Sequence, residues 1–144
     1  MILPDLNLLI YAYNLGAPDH ARARQWWEDL MTRQEPVGLP LAVATGFICL
    51  MTNPKVIQPP MLLADAVAEV KRWLSAPNIT WLQVTPRHWD ELEKLGWTGP
   101  AVSDAHLAVL ALEHGCELQT NDADFSRCPG LQWKNPLVSE SPGA

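Results

Sequence analysis

Short apolar runs alternate with amphipathic helical stretches along almost the whole of this chain, and that alternation leaves few folds open. Parallel strands can be joined only by long crossovers, which helices usually supply. Strand and helix in strict turn therefore predict an α/β unit, a mainly parallel sheet covered by helices on both faces.

Met1 to Pro4 is a first strand, and "NLLIYAY" from Asn7 opens a short helix broken by Gly16 and Pro18. "PDHARARQWWEDLMTRQ" starts a second helix at Asp19, with Ala23, Trp26, Trp27 and Leu30 near helical spacing. "VGL" at 37–39 is a second strand, and "LAVATGFICLM" after Pro40 a largely buried helix. In residues 61–75, Leu62, Ala66, Val70 and Trp73 share one face. "ITWLQV" is another strand, and "PRHWDELEKLG" a helix with Pro86 near its first turn and Gly96 past its end. "SDAHLAVLALEHG" is closed by Gly115 and followed by the strand "ELQT", the turn "NDADF" and a last strand "LQW".

Composition narrows the class. A chain of 144 residues with 48% apolar content can bury a core without disulfides or a structural metal. Cys49, Cys116 and Cys128 are odd in number and far apart, with no CxxC pair, and read as thiols in a reducing cytoplasm. No Sec-type signal or long apolar run is visible, so the expectation is a cytoplasmic protein that does not span a membrane. A net charge of -6 is the opposite of a broad phosphate-gripping surface. No P-loop, GxGxxG, HExxH or GxSxG is present, which argues against P-loop hydrolysis, zinc proteolysis and serine esterase chemistry.

Against this background Asp5 stands out, a carboxylate inside the apolar run "MILPDLNLLIYAY". Burying an unpaired carboxylate is costly, so something must compensate it. Sites in open parallel sheets form beyond the carboxyl ends of the strands. Asp5 closes the first strand, Asp122 follows "ELQT", Asp124 lies two residues on, and Asp104 opens the helix feeding that strand. If those strands are neighbours, the four acids share one crevice, and a divalent cation settles their mutual repulsion. Oxygen donors without a His/Cys set select a hard ion, Mg²⁺ or Mn²⁺. Such a site suits phosphate substrates, because a bound metal can activate water and stabilise a leaving oxygen. Each acid can also be read as an ordinary N-cap or turn residue.

With these residues in view the sequence resembles the PIN-domain family, specifically its VapC-type toxins. "PDLNLLIYAY" matches the N-terminal acid motif, "SDAHLAVLALEHG" the acidic helix and "TNDADF" the closing motif, with similarity continuing through "PGLQWKNPL". The resemblance implies a three-layer α/β/α domain over 1–138 with a short tail over 139–144. It also implies Mg²⁺-dependent cleavage of RNA, a neutralising antitoxin and a homodimer. It makes Asp5, Asp104 and Asp122 the catalytic acids, those three and Asp124 the metal ligands, and Asn7 and Thr120 the groups that orient them by hydrogen bonds. One position departs: Gly46, beside Thr45, stands where many PIN domains carry a glutamate, which bears on whether one metal or two are held.

Trp26 and Trp27, adjacent and so expected to face different ways, are candidates for antitoxin or dimer contact. Trp73 reads as core; His106 and His114 flank the apolar stretch of the Asp104 helix, His106 reading as a surface or interface residue before a substrate contact; Arg22, Arg24 and Arg127 are the cations nearest the motifs. Three functions compete: a metal-dependent endoribonuclease toxin, a PIN-like interaction module with weak or no catalysis, and a phosphatase or phosphoacceptor domain with Asp5 as nucleophile.

Overall fold

The computed structural model describes residues 1–138, so the expected tail over 139–144 lies outside the described residues. Five strands, β1 (Ile2–Pro4), β2 (Val37–Leu39), β3 (Ile79–Trp81), β4 (Glu117–Gln119) and β5 (Trp133–Lys134), pair in the order β3-β2-β1-β4-β5. Every pairing is parallel, with Ile2 opposite both Val37 and Glu117. The central strands are buried along their whole length, which is why they read as continuous apolar runs.

Six helices make the crossovers: α1 (Leu6–Tyr13), α2 (His20–Thr32), α3 (Leu41–Met51), α4 (Leu63–Ser75), α5 (His88–Leu95) and α6 (Val102–His114). The chain steps from β1 to β2 to β3 in one direction, then returns across the sheet to β4. Right-handed crossovers running in opposite directions lie on opposite faces, so α1 to α4 cover one side and α5 and α6 the other. The reversal falls between β1 and β4, the switch point at which such sheets open a crevice.

The core on the α1 to α4 side is an aromatic cluster. Phe47 and Trp73 rings lie 4.6 Å apart, Trp27 and Trp73 5.3 Å, and Tyr13 and Phe47 5.0 Å, all edge-on. Trp73 Nε1 donates to the Tyr13 hydroxyl at 2.9 Å, and that hydroxyl donates to Glu69 at 2.7 Å, whereas the buried Trp27 Nε1 has no partner among the described residues.

Four expectations are corrected. The strand anticipated over "ITWLQV" ends at Trp81, because β2 stops at Leu39 and Pro40 turns into α3; Leu82 N–H to Leu39 O is the last ladder bond. The last strand falls at Trp133–Lys134 rather than "LQW": Gly130 turns the chain at φ 77°, and Leu131 N–H is spent on Cys128 O. Leu62 precedes α4 with extended backbone, outside the helical phase, and is 71% exposed. Trp26 and Trp27 are both buried, since α2 lies deep enough for neighbouring faces to be covered. Trp26 Nε1 donates to Gln119 Oε1 at 2.7 Å, tying α2 to the end of β4.

Candidate active site at the sheet switch point

Four polar residues are buried among the described residues, and three of them, Asp5, Gln119 and Thr120, sit where β1 and β4 end. Asp5 is the N-cap of α1, in extended backbone, and its N–H donates to Gln119 O at 2.9 Å, continuing the β1–β4 ladder past the strand. Parallel register with β4 therefore brings residues 5 and 120 side by side. The Thr120 hydroxyl donates to Asp5 Oδ2 at 2.7 Å, and the hydroxyl oxygen accepts the Asp122 N–H at 3.0 Å. Asp122 caps a 3₁₀ turn over Ala123–Arg127, its Oδ1 accepting the Asp124 N–H at 2.9 Å. Asp104 lies in the first turn of α6, where the helix dipole favours an anion.

The electrostatics follow from this placement. Burial pushes the Asp5 carboxyl up from its ordinary value; the Thr120 hydroxyl and the Leu6 N–H pull it back, and Asp104 and Asp122 push it up further. Asp104 is also raised, by burial first and then by Asp122 and Asp124, against the opposing charge of Arg127. Among the described residues no cation pairs with Asp5. Asp5, at 5% exposure and flanked by two more acids without a counter-charge, is a carboxylate whose ionised form a bound cation would favour.

Among the described residues no three acidic, histidine or cysteine side chains close into an ion cage by themselves. The donor set nonetheless suits Mg²⁺, which takes oxygen ligands, uses few carboxylates and keeps several waters. Asp5 and Asp104 line a groove of about 550 Å³ together with Asn7, Gly46, Trp89 and His106. Asn7 is exposed on the first turn of α1, within that wall, while Asp122 is half-buried and Asp124 exposed beyond it. The expected acids thus come together, with Asp5 and Asp104 innermost.

Gly46 also lines the groove, and the reason for its size is visible. A Cβ built there would meet Leu6 Cδ2 at 2.6 Å, so Leu6 fills the space a side chain would need.

The other candidates separate. Arg127 stacks on the Trp97 ring at 4.1 Å and carries its charge toward Asp104, whereas Arg22 is held by Asp19 and Leu137 O, and Arg24 by Glu28 and the Tyr13 ring. His114 Nε2 meets Gln83 O at 2.7 Å on the surface. His106 reaches the groove itself, its Nδ1 3.0 Å from His88 Nε2.

Sequence reasoning passes over His88, Trp89 and Glu113. His88 is fully buried, its Nδ1 bonded to Glu113, whose other oxygen accepts the Thr85 N–H at 2.8 Å. Burial pushes the Glu113 carboxyl up, but the Thr85 and His88 hydrogen bonds outweigh it and leave the group below its usual range. Burial and His88 hold His106 below the ordinary imidazole value, with Glu113 opposing. No short motif announces this chain, because its members come from a loop and two helices.

Comparison with known proteins matches this geometry. Residues 2–131 match the model of the PIN domain. The chain is 40% identical over 141 residues to Ribonuclease VapC33 of Mycobacterium tuberculosis, covering 95% of this chain and 99% of that protein. It is 36% identical over 145 residues to Ribonuclease VapC43 of the same organism, covering 98% and 99%. Among solved structures, VapBC2 from Rickettsia felis, bound to a DNA fragment from its promoter, superposes with a TM-score of 0.65 at 17% identity, covering 94% of this chain and 98% of that one. Mycobacterium tuberculosis VapC20, a Sarcin-Ricin loop cleaving toxin, gives 0.63 at 20%, covering 88% and 93%. Acids at a β1–β4 switch point, a family model spanning nearly all the described chain and relatives matched end to end agree: the chain belongs to the PIN-domain family, in its VapC branch.

Proposed function

We propose that this protein is a divalent-metal-dependent endoribonuclease, a single PIN-like unit over residues 1–138 acting as the toxin of a toxin-antitoxin pair. The observation that carries the reading is the buried, uncompensated Asp5 carboxylate facing Asp104 and Asp122. The VapC relatives are named ribonucleases, which supports RNA as the substrate. The VapBC2 structure pairs a related fold with its partner, which supports a cognate antitoxin for this chain, and a homodimer is the expected assembly.

Asp5 and Asp104 would hold Mg²⁺, or Mn²⁺ in its place, with Asp122 a further ligand or an anchor for water and Asp124 an outer contributor. The bound ion supplies Lewis-acid stabilisation for the charge that develops on a cleaved phosphodiester. The chain's own residues do the rest. Thr120 fixes the Asp5 carboxylate and the Asp122 backbone together, Asn7 offers an amide to the groove, and Asp122 can accept a proton from an approaching water. Among the described residues no helix is long and apolar enough to cross a membrane.

The test is cleavage of a total bacterial RNA pool by the purified protein without its partner, in Mg²⁺, in EDTA and with Asp5→Asn. Discrete ends that require Mg²⁺ and Asp5 establish the nuclease. An uncut pool, from protein that still binds Mg²⁺, would favour the interaction-module reading.

A further inference from the structure

The groove that holds the carboxylates has no arginine or lysine in its wall, nor does the apolar cavity of about 680 Å³ that adjoins it and shares His106 and Ala42. A polyanion entering here meets no side-chain cation in the wall itself, and Arg127, whose charge reaches Asp104, stands outside it. Within the groove, contacts to the bases are what the wall itself can offer.

The wall is equipped for bases. Trp89, on the first turn of α5, is 66% exposed although it lines the groove beside Asp5 and Asp104. Its ring stands edge-on to His88, centroids 5.5 Å apart at 89°, so its orientation is fixed from beneath by a fully buried residue. His106, on α6, is fixed by the same residue: Glu113 accepts from His88 Nδ1–H, and His88 Nε2 meets His106 Nδ1 at 3.0 Å. Among the described residues, Nε2 of His106 has no protein partner and is not sealed from solvent. An exposed indole and an unspent imidazole edge thus hang from one buried histidine at the mouth of the acidic site.

We propose that Trp89 and His106 form a nucleobase subsite, in which Trp89 stacks an unpaired base of the RNA and His106 Nε2 hydrogen-bonds the same nucleotide. This rests on reading the groove as an RNA site. Stacking on an aromatic ring tolerates any base but favours a single strand, because within a duplex the faces of each base are covered by the neighbouring pairs. The Glu113–His88 pair is a positioning device and touches no substrate.

Binding tests the subsite apart from cleavage. The full chain, in Ca²⁺ in place of Mg²⁺, is titrated against a fluorescein-labelled twelve-nucleotide RNA of random sequence and against an abasic tetrahydrofuran backbone of the same length and charge, read by anisotropy. The RNA should bind more tightly than the abasic chain. Trp89→Ala should weaken RNA binding roughly tenfold and leave abasic binding unchanged, Trp89→Phe should restore most of the loss, and His106→Ala should also penalise only the RNA. Trp89 is exposed, so its variants keep the fold. Base-selective binding by a protein that cuts no RNA upholds the subsite and defeats the nuclease reading. Mg²⁺-dependent cleavage by a protein indifferent to bases, or equal losses on both ligands, overturns the subsite.

Discussion

The Thr120 hydroxyl donates to Asp5 Oδ2 at 2.7 Å across 115 residues of sequence, and accepts the Asp122 N–H on its other side. One side chain thereby sets the geometry of two acids from different strands. Thr120→Val keeps the volume and removes both bonds, so the Asp5 carboxyl should rise further and its hold on a cation weaken. A fall of roughly 10- to 100-fold in apparent Mg²⁺ affinity is expected, measured by thermal shift against Mg²⁺ concentration.

Asp5 itself should oppose stability when no metal is bound. Burial raises its folded-state value above the ordinary 3.8, so the folded chain binds a proton more readily than the unfolded one. In EDTA, stability should therefore fall as pH rises from 3.8 through that raised value and stay low at neutral pH. Asp5→Asn should remove its share of this dependence, leaving that of Asp104, and raise Tm at pH 7 by roughly 2 to 4 °C, the effect of about 1 kcal/mol in a domain of this size. The same variant should lose Mg²⁺-dependent cleavage.

Metal addition should reverse the sign of that effect. At about 100 times Kd, Mg²⁺ should stabilise the wild type by about 2.7 kcal/mol in a calorimetric scan. Asp104→Asn and Asp5→Asn should abolish most of the gain, and Asp124→Asn, exposed beyond the groove, should cost least. A gain that survives the Asp5 and Asp104 changes would move the ion elsewhere.

Glu113→Gln should destabilise through a different route. Its carboxylate is buried and accepts from both Thr85 and His88, which holds it below its usual 4.5. Stability from a depressed acid is present above 4.5 and lost as pH falls toward the folded value. The variant should cost about 2 kcal/mol at pH 7 in urea denaturation, and the gap from wild type should close below pH 4.5.

The fold was legible because strand and helix periods differ and because Pro40, Gly96 and Gly115 mark element ends; Gly96 and Gly115 both take positive φ. Strand lengths were less so, since β3 is cut short by what β2 can pair with, a tertiary fact absent from "ITWLQV" itself. Asp5 and Asp104 were visible as acids at element junctions, and the family resemblance sharpened them. Trp26 and Trp27 misled because adjacency was taken to force one outward, whereas the Gln119 amide lets an indole N–H be buried. The Glu113–His88–His106 chain was invisible for a plainer reason: His106 and Glu113 share α6, but the residue that links them, His88, comes from α5, and nothing in the sequence shows that the two helices meet there.

Gly46 and Leu6 share one volume, divided between two helices. A glutamate gained at 46 by a single substitution would first meet the Leu6 methyl at 2.6 Å and would have to drive that side chain into another rotamer beside Asp5. The cost of that acid is therefore set by how freely the Leu6 side chain can turn away. Relatives that carry an acid at the position matching Gly46 should carry a smaller or redirected side chain at the position matching Leu6, and the two sites should vary as a pair.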